Sequence, residues 1–260
     1  MSQRGELIFL GSGTSQGVPV IGCDCEVCMS KDIRDNRTRS SVHIQFAGLS
    51  LQIDTGPDFR TQMLREGLTH VDAVLFTHEH QDHVAGLDDV RPIIFRVRKE
   101  MALYGQQRVL DRIKKAFDYA FNAQPYPGAP SFTTTSIEAE LAFTINGVEV
   151  LPLGINHGNL PILGYRIGDT AYLTDVNDIP DEAMEQLSGL NYLILDALHR
   201  KEHYSHFKLT QAIEWATKIG ARHTYFIHMS HYMGKHEDVE KELPEGMQLS
   251  FDGLRIPVTI

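Results

Sequence analysis

Short runs in which almost every position is apolar alternate along this chain with longer stretches whose apolar residues recur at helical spacing. The runs "ELIFLG", "VHIQFAG", "LSLQIDTG", "VDAVLFTH", "VEVLPLGINHG", "TAYLTDVND", "NYLILDALH" and "TYFIHMSH" are bounded by Gly, Asn or Asp. Such runs read as strands. Helices are predicted over 57–66, opening with Pro57, and over 106–121, where Val109, Leu110, Ile113, Ala116 and Phe117 share a face. Two more are predicted over 180–187 and 209–219, the last with Thr210 as N-cap and Gly220 as stop. "QPYPGAPSFTTTS" reads as a loop beside a pocket.

This pattern places six polar residues in equivalent positions. Asp54, His78, His157, Asp175, Asp196 and His228 each stand at or just past the end of a predicted strand. Strand ends of layered α/β folds share one edge, where loops build sites on a rigid base. Residues far apart in sequence are therefore expected to converge there.

The chain has 260 residues, and the whole span 1–260 is expected to form one domain. Apolar content of 42% supports a sizeable core. The formal net charge of −10 disfavours long nucleic acid as a partner and requires local compensation, as by metal cations, for any anionic substrate. No signal-like segment and no run of about 18 apolar residues stands out, so a cytoplasmic location without membrane association is expected.

Chemistry concentrates in "LFTHEHQDHVAGL". His78 and His80 alternate, so in an extended loop they point the same way. Asp82 and His83 follow and reach a second position. Neutral imidazoles and carboxylates are the usual ligands of Zn²⁺ and similar ions, so one motif offers ligands to two adjacent cations. Without cations these groups would desolvate and repel one another at the end of a buried strand. Glu79 and Gln81 are expected to be spacers facing away.

"THEHQDH" resembles the His-x-His-x-Asp-His signature of the metallo-β-lactamase fold hydrolases. The resemblance implies an α/β chain folded as an αββα sandwich, and it extends over nearly the whole sequence. It implies that His78, His80 and His157 hold one metal and that Asp82, His83 and His228 hold a second. Asp175 would bridge the two, and Asp54 would support the ligand loop by hydrogen bonds.

A second cluster, "GCDCEVC", gives Cys23, Cys25 and Cys28. Three clustered thiols form a poor disulfide framework and lack one ligand of a tetrahedral site. His231 is the expected fourth ligand of a structural zinc. "GSGTSQGVPVIGCDCEVC", with the later "HMSH" and with "GLDDVRPI" and "LYG", is similar to the branch containing phosphoribosyl 1,2-cyclic phosphate phosphodiesterase. Other chains of this kind are described as coenzyme PQQ biosynthesis protein B-like.

The implied activity is a phosphodiesterase acting on small, including cyclic, phosphodiesters through a metal-bridging hydroxide. Its catalytic residues would be Asp82, Asp175 and His206, with His206 protonating the leaving group and His203 the alternative donor. Asp196 is expected to favour the protonated form of His206. His199 is not expected to ligate. The cofactors would be two divalent ions, Zn²⁺ or Mn²⁺ with Fe²⁺ also suited, and one structural Zn²⁺. A homodimer is implied by the resemblance alone. A carbon-ester hydrolase (lactonase or thioesterase) and a non-catalytic metal protein of cofactor assembly remain alternatives. A transfer-RNA 3′-processing nuclease would need a basic protruding arm, which the sequence lacks.

Overall fold

The computed structural model describes residues 4–46, 48–122, 124 and 126–260. In chain order its strands are β1 (Arg4–Gly11), β2 (Ser41–Phe46), β3 (Leu49–Ile53), β4 (Ala73–Leu75), β5 (Met101–Gly105), β6 (Phe132–Ser136) and β7 (Phe143–Ile145). They continue as β8 (Val148–His157), β9 (Leu160–Ile167), β10 (Thr170–Leu173), β11 (Tyr192–Asp196), β12 (His223–Ile227), β13 (Met247–Leu249) and β14 (Arg255–Thr259). Among the described residues they form two sheets, ordered β14-β1-β2-β3-β4-β5-β6 and β13-β12-β11-β10-β9-β8-β7.

Strand alternation explains the near-continuous apolar runs. Leu7 and Phe9 of β1 and Tyr225 and Ile227 of β12 face the core between the sheets. Ile8 and Leu10 turn outward beneath helices Phe59–Arg65, Arg91–Val97 and Gln107–Ala116. Phe226, Leu193 and Leu195 turn outward on the second sheet, beneath helices Asp181–Glu185, Leu209–Ile219 and His236–Glu240. Both faces of the inner strands are dry, so neither face needs polar residues. The result is the αββα sandwich that the resemblance implied.

The helix of 209–219 ends at Gly220 in the left-handed region as expected, but Lys208 rather than Thr210 is its N-cap. The predicted helix 106–121 is two helices. Phe117 leaves helical geometry at φ −117° and ψ 39°, and both it and Phe121 pack on the outer core. The predicted loop 124–136 contains a strand, β6, paired parallel to β5 at the sheet edge. Its Thr-rich, mostly solvated sequence hides it from any reading by hydrophobic period. Within that stretch, Pro125 lies outside the described residues.

Strands β3 and β4 run parallel, as do β10, β11 and β12. Their carboxyl ends therefore gather at one rim. There the sheets are tied together: the Leu163 N–H donates to the Thr77 carbonyl at 3.1 Å, and the buried Tyr165 hydroxyl donates to the Phe76 carbonyl at 2.6 Å.

Candidate metal centre

The site starts from two loops that touch. A Cβ at Gly56 would lie 2.2 Å from the Asp82 carbonyl oxygen, and one at Gly86 would lie 2.0 Å from that of Gly56. With neither present, the Thr55 N–H reaches the His83 carbonyl and the Gly86 N–H reaches the Thr55 carbonyl, both at 2.8 Å. The contact sets Asp54 behind the His78–His83 loop. The Asp54 carboxylate accepts from the Thr77 N–H at 2.9 Å, the Thr77 hydroxyl at 2.8 Å and His83 Nδ1 at 2.7 Å. That last bond leaves His83 Nε2 free to bind elsewhere.

The first ligand group is His78, His80 and His157, whose ring nitrogens lie within 4.8 Å of one another. His78 Nε2 stands 3.0 Å from His80 Nδ1. The His157 Nδ1–H donates to the Ser205 carbonyl at 2.9 Å, which turns Nε2 toward the other two rings. Glu79 faces away from this group, as expected, and pairs with Arg108. The same guanidinium donates to the Pro161 carbonyl, so it spans the loop of His78 and the hairpin of His157.

The second group is Asp82, His83, Asp175 and His228. His83 Nε2 lies 3.3 Å from both the Asp82 and Asp175 carboxylates, and His228 Nε2 lies 3.1 Å from Asp175 Oδ1. Asp175 also comes within ligand distance of His157 and His206. It therefore stands between the two groups. Asp54, Asp175 and His228 all have positive φ (60°, 57° and 63°), a backbone region costly for residues with a Cβ.

His206 borders the same cavity, of about 310 Å³, with its Nδ1 3.2 Å from Asp196. His203 also borders it. His199 belongs to none of the clustered ligand groups. Among the histidines without an expected role, His43 is buried against Gln52 and His236 against Arg37.

The charges explain what the cluster needs. Burial raises Asp54 and Asp196 above the usual carboxylate range. Burial would raise Asp82 and Asp175 too, but the His83 charge beside Asp82, and the His228 and His83 charges beside Asp175, outweigh it and hold both below that range. Burial lowers His78 and would lower His83, yet the carboxylates of Asp175, Asp82 and Asp54 push His83 well up. Against its burial, Asp175 and Asp82 raise His228 as well, so the cluster draws positive charge toward itself. Both nitrogens of His228 and Nε2 of His83 are buried with no hydrogen-bond partner. Buried donors and acceptors without partners are costly, and coordination would satisfy these. The donor set thus fits two divalent cations.

His206 differs from expectation. Burial and the neighbouring His228 charge push it down to about 3, because the desolvation of a ring enclosed by other imidazoles outweighs the attraction of Asp175 and Asp82.

The cysteine cluster assembles as well. Cys23, Cys25 and Cys28 Sγ lie 3.3, 3.3 and 3.5 Å from His231 Nδ1. Two ligands on a tetrahedral zinc, at its usual bond lengths to sulfur and nitrogen, stand about 3.5 Å apart. A hydrogen bond from the Cys28 N–H lowers the Cys25 thiol to about 6, while burial raises Cys28 to about 11. Four donors at this spacing fit a closed tetrahedral site.

Residues 51–229 match the sequence model of the beta-lactamase superfamily domain. The chain belongs to that superfamily. Within it, the architecture is that of the metallo-β-lactamase fold, the fold of metal-dependent hydrolases. The chain is similar to a crystal structure of a diphosphatase from the PhnP family, at 42% identity and TM-score 0.94, covering 100% of this chain and 99% of that one. Its fold is also that of zinc-bound PqqB of Methylobacterium extorquens, at 19% identity and TM-score 0.81 over 96% of this chain and 99% of that one. A protein of Porphyromonas gingivalis named octanoyltransferase is 45% identical over 249 residues, 95% of this chain and 50% of that protein. The chain thus spans half the length of that relative.

Sequence reasoning missed Thr77, Arg108 and the Ser205 carbonyl, which orient ligands without being ligands, and Thr14, Ser15 and Tyr204, which line the cavity. The loop "GSGTSQG" was the one available signal, since clustered small residues allow close approach.

Proposed function

We propose that this superfamily member is a dinuclear metal-dependent hydrolase of small phosphate esters, phosphodiesters above all. The observation that carries this reading is the position of Asp175 between two ligand groups at one cavity, with His206 on the same wall and Asp196 buried beside its Nδ1. His78, His80 and His157 would hold one divalent cation, and Asp82, His83 and His228 the other, with Asp175 shared. Such a pair supplies a water acidified toward neutrality and positive charge for the oxygens around phosphorus.

The chain's own residues do the rest. Asp54 fixes His83 in the tautomer whose Nε2 is free, and Ser205 does the same for His157. Asp82 and Asp175 keep their carboxylates ionised at neutral pH. His206 would protonate the departing oxygen; it lines the cavity with His203, whose ring is 5.0 Å away. Both members of the Asp196–His206 pair lean toward their neutral forms, Asp196 raised and His206 lowered. A proton shared between Asp196 and His206 Nδ1 would leave Nε2–H free to donate into the cavity. The Cys₃His group would staple the loop of 20–30 to the turn after β12 through a structural zinc.

The similarity to a diphosphatase adds weight to phosphoryl chemistry. The name octanoyltransferase raises a second reading, attack on an octanoyl ester. The cavity argues against it: apart from Leu198 and the Tyr204 ring, its described walls are Thr, Ser, Asp and His, which offer little apolar surface to an eight-carbon chain. The deciding experiment loads the protein with Zn²⁺ or Mn²⁺ and compares cyclic and linear phosphodiesters, diphosphate esters, lactones and an octanoyl thioester. Turnover confined to the phosphate esters is expected; turnover confined to carbon esters would overturn the assignment.

A further inference from the structure

A second cavity, of about 580 Å³, opens beside the metal centre. It shares His80, His157, Tyr204 and Ser205 with the first and adds Gly158, Asn159, Leu160 and Asn177. Its volume lies in the range of small-ligand sites. Tyr204 stands where the two cavities meet and is 82% exposed. An aromatic side chain that exposed loses much favourable burial, and its hydroxyl makes no hydrogen bond among the described residues.

The ring is nevertheless held in place. The Asn177 side chain donates to the Tyr204 carbonyl at 3.3 Å and accepts from the Gly158 N–H at 2.6 Å, so one amide fastens two loops together. A Cβ on Gly158 would lie 3.5 and 3.6 Å from the edge of the Tyr204 ring, so the ring packs against the turn that follows His157. On another side the His203 ring is 4.8 Å away, centroid to centroid. The Asn177 amide thus ties the Tyr204 backbone to the loop after Asp175, while most of the ring surface is left to solvent. Pre-positioned exposed rings of this kind are stacking platforms, because every planar π-system offers them a face.

We propose that Tyr204 is the specificity residue of a subsite for a planar ring, and that the substrates are phosphate esters carrying a nucleobase or similar heterocycle. The ring would rest on Tyr204 over the second cavity while the phosphate occupies the first. Asn159, exposed at the cavity rim, would offer its amide to the edge of the heterocycle. This inference rests on the phosphate-ester reading above.

The test pairs two substrates with the same reacting group: adenosine 2′,3′-cyclic phosphate and the base-free methyl riboside 2′,3′-cyclic phosphate. The native protein should prefer the first in kcat/KM. Tyr204→Ala should lower that preference about tenfold, chiefly through KM, and Tyr204→Phe and Tyr204→Trp should keep it. Binding of AMP and of ribose 5-phosphate to the metal-loaded protein, followed by calorimetry, gives a readout independent of turnover. AMP should bind more tightly, and Tyr204→Ala should remove the difference. If neither cyclic substrate turns over but the AMP difference holds and depends on the ring, the subsite stands and the reaction assignment fails. Equal effects of Tyr204→Ala on both ligands of a pair, or none on either, would overturn the subsite.

Discussion

His83 Nδ1 and Asp54 Oδ2 are 2.7 Å apart, with both side chains sealed from solvent. Asp54 also accepts two bonds from Thr77, the residue before His78. One carboxylate therefore orients ligands of both groups. Removing it in Asp54→Ala should weaken divalent-metal binding at the paired site roughly 10–100-fold, the usual effect of losing a partner behind a ligand histidine. Chelator competition would measure this. Undiminished affinity would mean that the ligand loop holds its shape without Asp54.

Arg108 links Glu79 to the Pro161 carbonyl and so spans the two segments that carry His78, His80 and His157. Arg108→Ala should weaken metal binding by the three histidines by about threefold to tenfold, a modest effect because the guanidinium is partly solvated. Arg108→Lys should recover little, since one ammonium cannot span both acceptors as the fork does. Titration of the apoprotein with Zn²⁺, with and without each substitution, reads the difference.

The three cysteines and His231 form a group separate from the paired ligands. Cys25→Ser should therefore lower bound metal by one equivalent per chain and leave the paired site loaded. Elemental analysis together with turnover would check both halves of this statement. Loss of all metal at once would show that the cysteine loop supports the whole rim.

His206→Ala should lower kcat by about 10²–10⁴, the usual range for a group that transfers a proton, with metal content unchanged. Metal loss together with activity would make His206 a ligand. The group of His157, Asp175 and His206 makes that comparison worth measuring.

His43 sets a pH dependence remote from the metal centre. Its Nδ1 donates to Gln52, its Nε2 is buried without a partner, and burial holds it down to about 4. The unfolded chain, with an ordinary imidazole, takes up the proton first as pH falls below about 6.5. Stability is therefore unaffected above that value and declines as pH drops toward 4. Between pH 7 and pH 5 the native protein should lose about 2 kcal/mol more than His43→Gln, which does not titrate there. Denaturant unfolding at the two pH values measures it.

Much of the site was legible in the sequence because its signals are local and chemical. His78, His80, Asp82 and His83 lie within one short loop, and the three cysteines within another. The strand runs were legible because both faces of the inner strands are dry. Two strands are hidden: β6 is polar, and β9, which pairs with both β8 and β10, is masked by the Gly and Pro residues in and around it.

Orientation was beyond sequence. Nothing local announces that Ser205 offers its carbonyl to His157, or that Arg108 reaches the Glu79 loop from the helix Gln107–Ala116. The same holds for the charge of His206. Counting nearby carboxylates gives one sign, whereas enclosure by other rings gives the opposite one, and enclosure is a property of packing.

By itself, then, the order of residues determined which elements form and which side chains can bind a cation, since periodicity and ligand chemistry act over a few positions. Tertiary structure alone decided that Asp175 stands between two groups, that Asp54 stands behind both, and that Tyr204 stands open beside them. Those relations join segments tens to hundreds of positions apart, and only the stacking of two sheets at a common rim brings them within reach.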